Sequence, residues 1–355
     1  MGSPPHHKRP HINYHIMTNI PIKTALSLIF GLILLASCNH SDKKKTSAAS
    51  AIDYSTVASP TFCADSAYQY VADQVAFGPR IPGSTAQSQC ANYLTRQMKR
   101  WCDTVIVQNF STVLWNGQEA KGKNIIASIE SKGNNPTNRR ILLAAHWDSR
   151  MWADHDPDEA NHHTPIDGAN DGASGVGVLM EMARCIATKP LDVAVDIIFF
   201  DVEDQGVPEW ADSYEDDSWC KGSQHWGKNP HIPYYNAVYG ILLDMVGTPK
   251  PRYTKEQYSR QYASNIMDKT WMAATALGYG GIFNDDETAP ILDDHIYVNQ
   301  LANIPMIDIV QNSRDCSFFK YWHTQGDNME HVDRQSLNAI GTVLLKTIYG
   351  DYLSK

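Results

Sequence analysis

Residues 195–204 read VDIIFFDVED, a largely apolar run that ends in the adjacent acids Glu203 and Asp204. Short runs of apolar and β-branched residues are typical of strands that are buried on both faces of a mostly parallel sheet. Five other runs of this kind indicate further strands. The six predicted strands cover residues 104–110, 124–129, 140–145, 195–202, 237–245 and 305–310.

Helical patterns lie before, between and after these strands, at residues 66–75, 85–101, 173–187, 258–277 and 333–353. The alternation predicts an α/β fold. We expect a single domain over residues 61–355, with a mostly parallel, twisted central sheet and helices on both faces. Ligands bind at the carboxyl ends of the strands in this architecture, so polar residues that follow a strand are candidates for chemistry.

The composition is that of an acidic globular protein. The chain has 355 residues, 43% of them hydrophobic, and a formal net charge of −9 from 30 basic and 39 acidic residues. This hydrophobic content excludes an intrinsically disordered chain. Because no extended basic stripe is present, nucleic acid is not an expected partner.

The first 60 residues have the layout of an exported lipoprotein. We interpret residues 1–16 as upstream or added sequence and residues 17–37 as a signal peptide. Its apolar run, residues 25–36, is shorter than the roughly 20 residues that cross a bilayer as a helix. The Leu-Ala-Ser-Cys ending resembles a bacterial lipobox, which would make Cys38 the lipidated residue and residues 38–60 a flexible tether. We therefore expect a periplasmic protein anchored by lipid to a bacterial cell membrane, with the outer membrane favoured.

Six further cysteines fall after this tether: Cys63, Cys90, Cys102, Cys185, Cys220 and Cys316. An even number in an exported protein permits disulfides, but the sequence leaves the pairing open. None has a metal-binding spacing, so we expect structural or buried thiols.

Acidic and imidazole side chains follow several predicted strands. His146 and Asp148 follow the strand at 140–145, and Asp244 lies near the end of the strand at 237–245. The other positions of this kind are Glu203, Asp204, Asp293, Asp294, His295 and His323. At one edge of a sheet such groups would repel or desolvate one another unless they shared a cation, and mixed imidazole and carboxylate ligands suit zinc.

The loop DGANDGASG at residues 167–175 opens the predicted helix at 173–187. Its glycines match no phosphate-binding pattern, and Asp171 would repel a phosphate. We interpret the glycines as allowing a tight turn that presents Asp171 at the mouth of the helix. No serine lies in a GxSxG elbow, which leaves metal-assisted acid/base chemistry as the leading class.

The ordered motifs AHWDSR, DGANDGASG, FFDVED, GILLDMVG, DDH and WHTQGDN resemble those of the zinc aminopeptidase superfamily, which includes the glutaminyl cyclases. The resemblance covers nearly the whole chain from residue 68 onward. It implies a general base at Glu203 and metal positions at His146, Asp171, Asp204, Asp244 and His323. Dizinc aminopeptidases use all five metal positions. Glutaminyl cyclases bind one zinc through the positions of Asp171, Asp204 and His323.

Details of the sequence favour the cyclases. RIPGS at residues 80–84, DDH at residues 293–295 and Trp322 next to His323 resemble cyclase sequences. One departure is Asp204, where animal cyclases have Glu, although bacterial members of the cyclase group can carry Asp.

The resemblance therefore implies a zinc-dependent glutaminyl-peptide cyclotransferase, which converts the N-terminal Gln of peptides and proteins to pyroglutamate and releases ammonia. It implies that Asp244 and Asp293 hydrogen-bond near Glu203, and that Trp322 and Trp210 flank the glutamine side chain.

We expect one zinc per chain and a monomer. His146 and Asp148 would then orient neighbouring groups, or help to bind a second zinc if the chain is a dizinc aminopeptidase. That enzyme stays open as an alternative, as does a non-catalytic binding module on the same fold.

Overall fold

The structure is a computed structural model that describes residues 52–352, except residues 212, 214 and 316 and the side chain of residue 216. The predicted leader, Cys38 and most of the predicted tether lie outside the described residues. Within residues 52–352, none of the helices combines the length and the apolar character that crossing a membrane requires.

A six-stranded sheet forms the centre of the domain, and a separate pair of strands lies outside it. In chain order the strands are β1 Thr104–Val113, β2 Glu119–Ile129, β3 Arg140–His146, β4 Ala194–Phe200, β5 Gly240–Asp244, β6 Tyr253–Glu256, β7 Phe283–Thr288 and β8 Met306–Val310. The sheet order is β1-β2-β4-β3-β5-β8. Strands β4, β3, β5 and β8 run parallel, whereas β1 and β2 are antiparallel additions at one edge. The mostly parallel sheet is thus confirmed.

Helices cover both faces of this sheet. They are α1 Ala64–Val75, α2 Thr85–Met98, α3 Ala173–Thr188, α4 Lys221–Lys228, α5 Gln257–Ala276, α6 Asp294–Leu301 and α7 Arg334–Tyr352. Alternate strand residues contribute to two separate apolar clusters: Leu143 and Ile197 pack with α3 and α7, whereas Leu142 and Ile198 pack with Trp226 and Val298 of α4 and α6. Burial of both side-chain sets explains why the strands are almost continuously apolar.

Several boundaries differ from the sequence prediction. Strand β4 ends at Phe200 rather than at residue 202, and β5 begins at Gly240 rather than at residue 237. The short helices α4 and α6 and the pair β6 and β7 were not predicted.

The predicted tether is too long at its carboxyl end. Tyr54 is only 3% exposed and belongs to the main apolar cluster together with Phe62. Lys346 of α7 donates to the carbonyl of Val57, and Lys189 donates to that of Ala58 at 2.8 Å. Residues 52–60 therefore pack on the domain, because an aromatic side chain in a small polar segment still gains free energy from burial.

Five of the six domain cysteines, Cys63, Cys90, Cys102, Cys185 and Cys220, are free thiols. Cys316 lies outside the described residues.

A buried ion pair joins β3 to β4. The Asp196 carboxylate is fully buried and accepts from Arg140 Nε at 2.6 Å, from the Ser128 hydroxyl at 2.6 Å and from the Tyr235 hydroxyl at 2.7 Å. Burial raises the pKa of Asp196, but the hydrogen bonds from Arg140 and Ser128 outweigh that effect and lower it.

Replacing Asp196 with Ala should lower the free energy of unfolding by up to about 3–5 kcal/mol, because Arg140 loses its close, fully buried partner and keeps only the 3.3 Å contact with the half-exposed Glu130. Urea unfolding of the two proteins measures the difference. The control is Asp65→Ala, which removes a pair between Arg334 and the 84% exposed Asp65 side chain and should cost less than about 1 kcal/mol. Equal losses in the two variants would contradict the assigned importance of the buried pair.

Candidate metal centre

Acidic and imidazole side chains meet at the carboxyl edge of the parallel strands. His146 and Asp244 are the last residues of β3 and β5, and Glu203 and Asp204 follow β4 by a few residues. Asp171 comes just before α3, and His323 comes from the loop between β8 and α7. Their exposed fractions range from 1% for both imidazoles to 9% for Glu203 and Asp244.

The three residues predicted as metal ligands are brought together. His323 Nε2 lies 3.0 Å from Asp204 Oδ1 and 3.7 Å from Asp171 Oδ2, and one ligand atom from each residue falls within 4.8 Å of the others. Asp204 Oδ2 is buried and has no hydrogen-bond partner among the described residues. An unpaired buried carboxylate oxygen is costly, and a cation would satisfy it.

A second group of ligand atoms shares Asp171. His146 Nε2 lies 2.9 Å from Asp171 Oδ1 and 3.2 Å from Asp244 Oδ1. Asp171 thus offers one oxygen to each group. All five positions implied by the resemblance therefore gather around this aspartate.

The loop that presents Asp171 is fixed by buried polar groups. Both carboxylate oxygens of Asp327 accept backbone N–H groups, from Asn170 at 2.8 Å and from Asp171 at 3.1 Å. Gly172 approaches the imidazole of His146 so closely that a methyl group there would lie 2.4 Å from Nε2. Glycine at this position is therefore required by the approach of the ring.

Asp148 holds the loop that follows β4. Its carboxylate accepts the backbone N–H of Glu203 at 3.1 Å and of Asp204 at 3.2 Å, and the Gln205 amide at 2.9 Å. It also lies 3.5 Å from His146 Nδ1. Asp148 therefore positions the backbone of two site residues and contacts the ring of a third.

Glu203 lies between a thiol and a second carboxylate. Cys220 Sγ donates to Glu203 Oε1 at 3.1 Å, and Asp293 joins these two in a group whose ligand atoms lie within 4.8 Å of one another. Asp293 caps α6, where its carboxylate accepts the N–H of Asp294. Asp244 is predicted to hydrogen-bond near Glu203; it lines the same pocket as Glu203 and is hydrogen-bonded to His146.

Burial and like charge raise the pKa of several of these acids. Burial is the largest cause at Glu203, whose pKa is well above its usual value, and nearby Asp293 and Asp204 add to the rise against the charge of His146. Burial likewise raises the pKa of Asp244 to about 7. At Asp171 burial is again the largest single cause, but the hydrogen bond from His146 and the positive charges of His146, His323 and Arg150 together outweigh it and lower the pKa. Positive charge supplied by a cation would favour the ionised acids.

A pocket of about 420 Å³ opens onto these groups. Its polar lining consists of Asp171, Glu203, Asp244, Asp293 and His323, and Trp322 and Trp219 are the tryptophans in its wall. Trp322 stacks on His323 with ring centroids 3.8 Å apart.

Trp210 was predicted to line this pocket, but it is not among the residues that line it. Its side chain is 37% exposed and packs edge-on against Trp152. Trp219, at the other end of the same irregular segment, takes the place in the wall. The sequence analysis also missed two residues of the site. Cys220 lies directly before helix α4, which was not predicted, so no sequence pattern pointed to it. Asp154 lies beside His323.

Comparisons with known proteins identify the family and the fold. The sequence profile of peptidase family M28 matches residues 124–348. A solved structure of a Zn-dependent exopeptidase from Parabacteroides distasonis is 49% identical, with a TM-score of 0.79, and the match covers 82% of this chain and 99% of that one. The glutaminyl cyclase of Bacteroides thetaiotaomicron, solved with N-acetylhistamine, is 45% identical with the same TM-score and coverage. Bovine glutaminyl-peptide cyclotransferase is 25% identical over 305 residues, which is 75% of this chain and 76% of the bovine protein.

Proposed function

The chain belongs to peptidase family M28, and we propose that it is a zinc-dependent glutaminyl-peptide cyclotransferase acting on peptides and proteins with an N-terminal Gln. The observation that carries this proposal is the pocket, which is lined by Glu203 and Asp293, by Asp171 and His323 of the ligand group, and by two tryptophans. Cyclisation needs a proton carrier next to a Lewis acid, in a space that folds one side chain back on its own amine.

The ligand group fits zinc. Two carboxylates and one imidazole are ligands that zinc accepts, and three protein ligands leave a tetrahedral ion one open position. We propose one zinc per chain, held by Asp171, Asp204 and His323. When bound, zinc would act as a Lewis acid on the γ-carbonyl oxygen of the substrate glutamine.

Glu203 transfers the proton from the substrate amine to the leaving ammonia. The substrate α-amine attacks the γ-amide carbonyl carbon and the amide nitrogen leaves as ammonia, so one proton must be taken from the amine and one supplied to the leaving group. The Cys220 thiol occupies Oε1 of Glu203, which leaves Oε2 for the amine. Glu203 thus serves first as general base and then as general acid. Trp219 and Trp322 flank the glutamine methylenes.

The proposal extends to the cellular location. The signal-peptide layout of residues 17–37 and the lipobox-like sequence before Cys38 support export and lipid anchoring at a bacterial membrane, facing the periplasm. We propose that the enzyme acts there as a monomer on exported peptides.

A dizinc aminopeptidase is the second candidate, favoured by the group of His146, Asp171 and Asp244. A peptide that begins with Gln and one that begins with Leu separate the two, each assayed with and without a zinc chelator. We expect ammonia from the Gln peptide alone, and none once the metal is removed. Release of free leucine would establish the aminopeptidase. No turnover of either peptide would favour a binding module.

Glu203→Gln should lower kcat for the Gln peptide by about 10²–10⁴-fold, because an amide cannot accept the amine proton. Zinc content, measured by atomic absorption, should equal that of the parent. The matched control is Glu119→Gln at an exposed carboxylate, with kcat unchanged. Activity retained in Glu203→Gln would remove Glu203 as the base.

Trp219→Ala should raise KM for the Gln peptide about 5- to 30-fold, since one wall against the substrate methylenes is lost. Trp210→Ala removes the same side chain outside the pocket and should leave KM within twofold. Steady-state kinetics at saturating zinc provide the comparison. A larger rise of KM in Trp210→Ala than in Trp219→Ala would support the prediction that Trp210, and not Trp219, flanks the glutamine side chain.

A further inference from the structure

Arg150 is a buried guanidinium directly behind the ligand group. Its side chain is 1% exposed, and Nε and Nη2 donate to the two carboxylate oxygens of Asp154 at 2.7 Å and 2.6 Å. Nη1 donates to the backbone carbonyl of Asp204 at 2.9 Å. Two of its three nitrogens therefore hold a carboxylate, and the third holds the backbone of a proposed zinc ligand.

Asp154 connects Arg150 to the second of these ligands. Its Oδ1 lies 3.4 Å from Nδ1 of His323, on the side of the ring away from Asp204. A carboxylate at this place favours the tautomer with the proton on Nδ1, which leaves the Nε2 lone pair for a metal. The other oxygen of Asp154 accepts the N–H of Glu209 at 3.1 Å and so holds the carboxylate in place.

The flat face of Arg150 contacts the wall of the pocket. Its guanidinium carbon lies 4.6 Å from the centroid of the Trp219 ring and 5.5 Å from that of Trp152. Such contacts between a cation and an aromatic face are attractive, and they are strongest where water is excluded. Lysine has no flat face and no fork of donors, so it could not make both sets of contacts at once.

We infer that Arg150 is a positioning residue that couples the zinc ligands to the substrate pocket. This inference rests on the proposed function, because it assigns the metal to Asp204 and His323 and the substrate to the Trp219 wall. The edge of the guanidinium fixes the Asp204 backbone and, through Asp154, the ring of His323. Its face fixes Trp219. A single buried guanidinium thus positions two proposed zinc ligands and one wall of the substrate pocket.

Arg150→Lys tests both parts of the inference, namely that Arg150 positions the zinc ligands and that it supports Trp219. Zinc affinity, measured by competition with a chromogenic chelator, should fall about 10- to 100-fold, as is usual when a partner behind a metal ligand is lost. At saturating zinc, KM for the Gln peptide should still rise about 3- to 30-fold, because Trp219 loses its support. That rise should vanish in a Trp219→Ala background, since coupled residues are not additive.

Asp154→Asn separates the effect on zinc binding from the effect on substrate binding. It weakens the link to His323 but leaves the guanidinium face on Trp219, so zinc affinity should fall while KM at saturating zinc stays within twofold. Arg334→Lys is the control, because Arg334 also pairs with an acid and stacks on an aromatic ring, Tyr68, but on an exposed surface and outside the lining of the pocket. It should change neither quantity.

Parent values of zinc affinity and KM in Arg150→Lys would overturn the inference. If that variant does not fold, unchanged zinc affinity in Asp154→Asn overturns the zinc-binding part of the inference by itself. Failure of the proposed function is distinguishable, because a parent protein that turns over no Gln peptide would still show whether the two variants weaken zinc binding.

Discussion

Mutual repulsion among buried carboxylates is the constraint on which the site depends. Asp171, Glu203, Asp204 and Asp244 are each at most 9% exposed and share one edge of the sheet. Negative charges so placed are desolvated and repel one another unless positive charge is supplied. The Arg150 guanidinium supplies part of it, and a divalent cation would supply the remainder. The polar groups of Asp148, Asp327 and Asp154 hold backbone or ring positions, so the acids cannot move apart to relieve the repulsion.

The ligands alone do not separate a cyclase from an aminopeptidase, because Asp171 offers an oxygen to each of two ligand groups. The difference must lie in the groups around them. Asp293 beside Glu203 gives the proton carrier an acidic neighbour, and two tryptophans form part of the wall of the same pocket. An apolar wall suits a substrate that folds back on itself, since its methylenes gain free energy when they are buried against that wall.

The sequence predicted the parts of the structure that obey a regular geometry. All six strands of the main sheet were identified, because strands buried on both faces are continuously apolar, and the carboxyl ends of parallel strands share one edge. His146, Asp204 and Asp244 were therefore located with their strands. The pocket wall was harder, since residues 206–219 have no periodicity that says which tryptophan points inward, and the sequence analysis named Trp210 but not Trp219. Arg150 was missed for a similar reason, because its partners are backbone carbonyls and a carboxylate in irregular loops.

The burial of Tyr54 limits how much of the chain after Cys38 can act as a flexible linker. If Cys38 carries the lipid, 54 − 38 = 16 residues lead from it to Tyr54, and a fully extended chain of this length spans at most about 58 Å. A domain fastened at Tyr54 must therefore stay within that distance of the bilayer. Peptides near the membrane surface would meet the pocket at a higher effective concentration than peptides in the bulk.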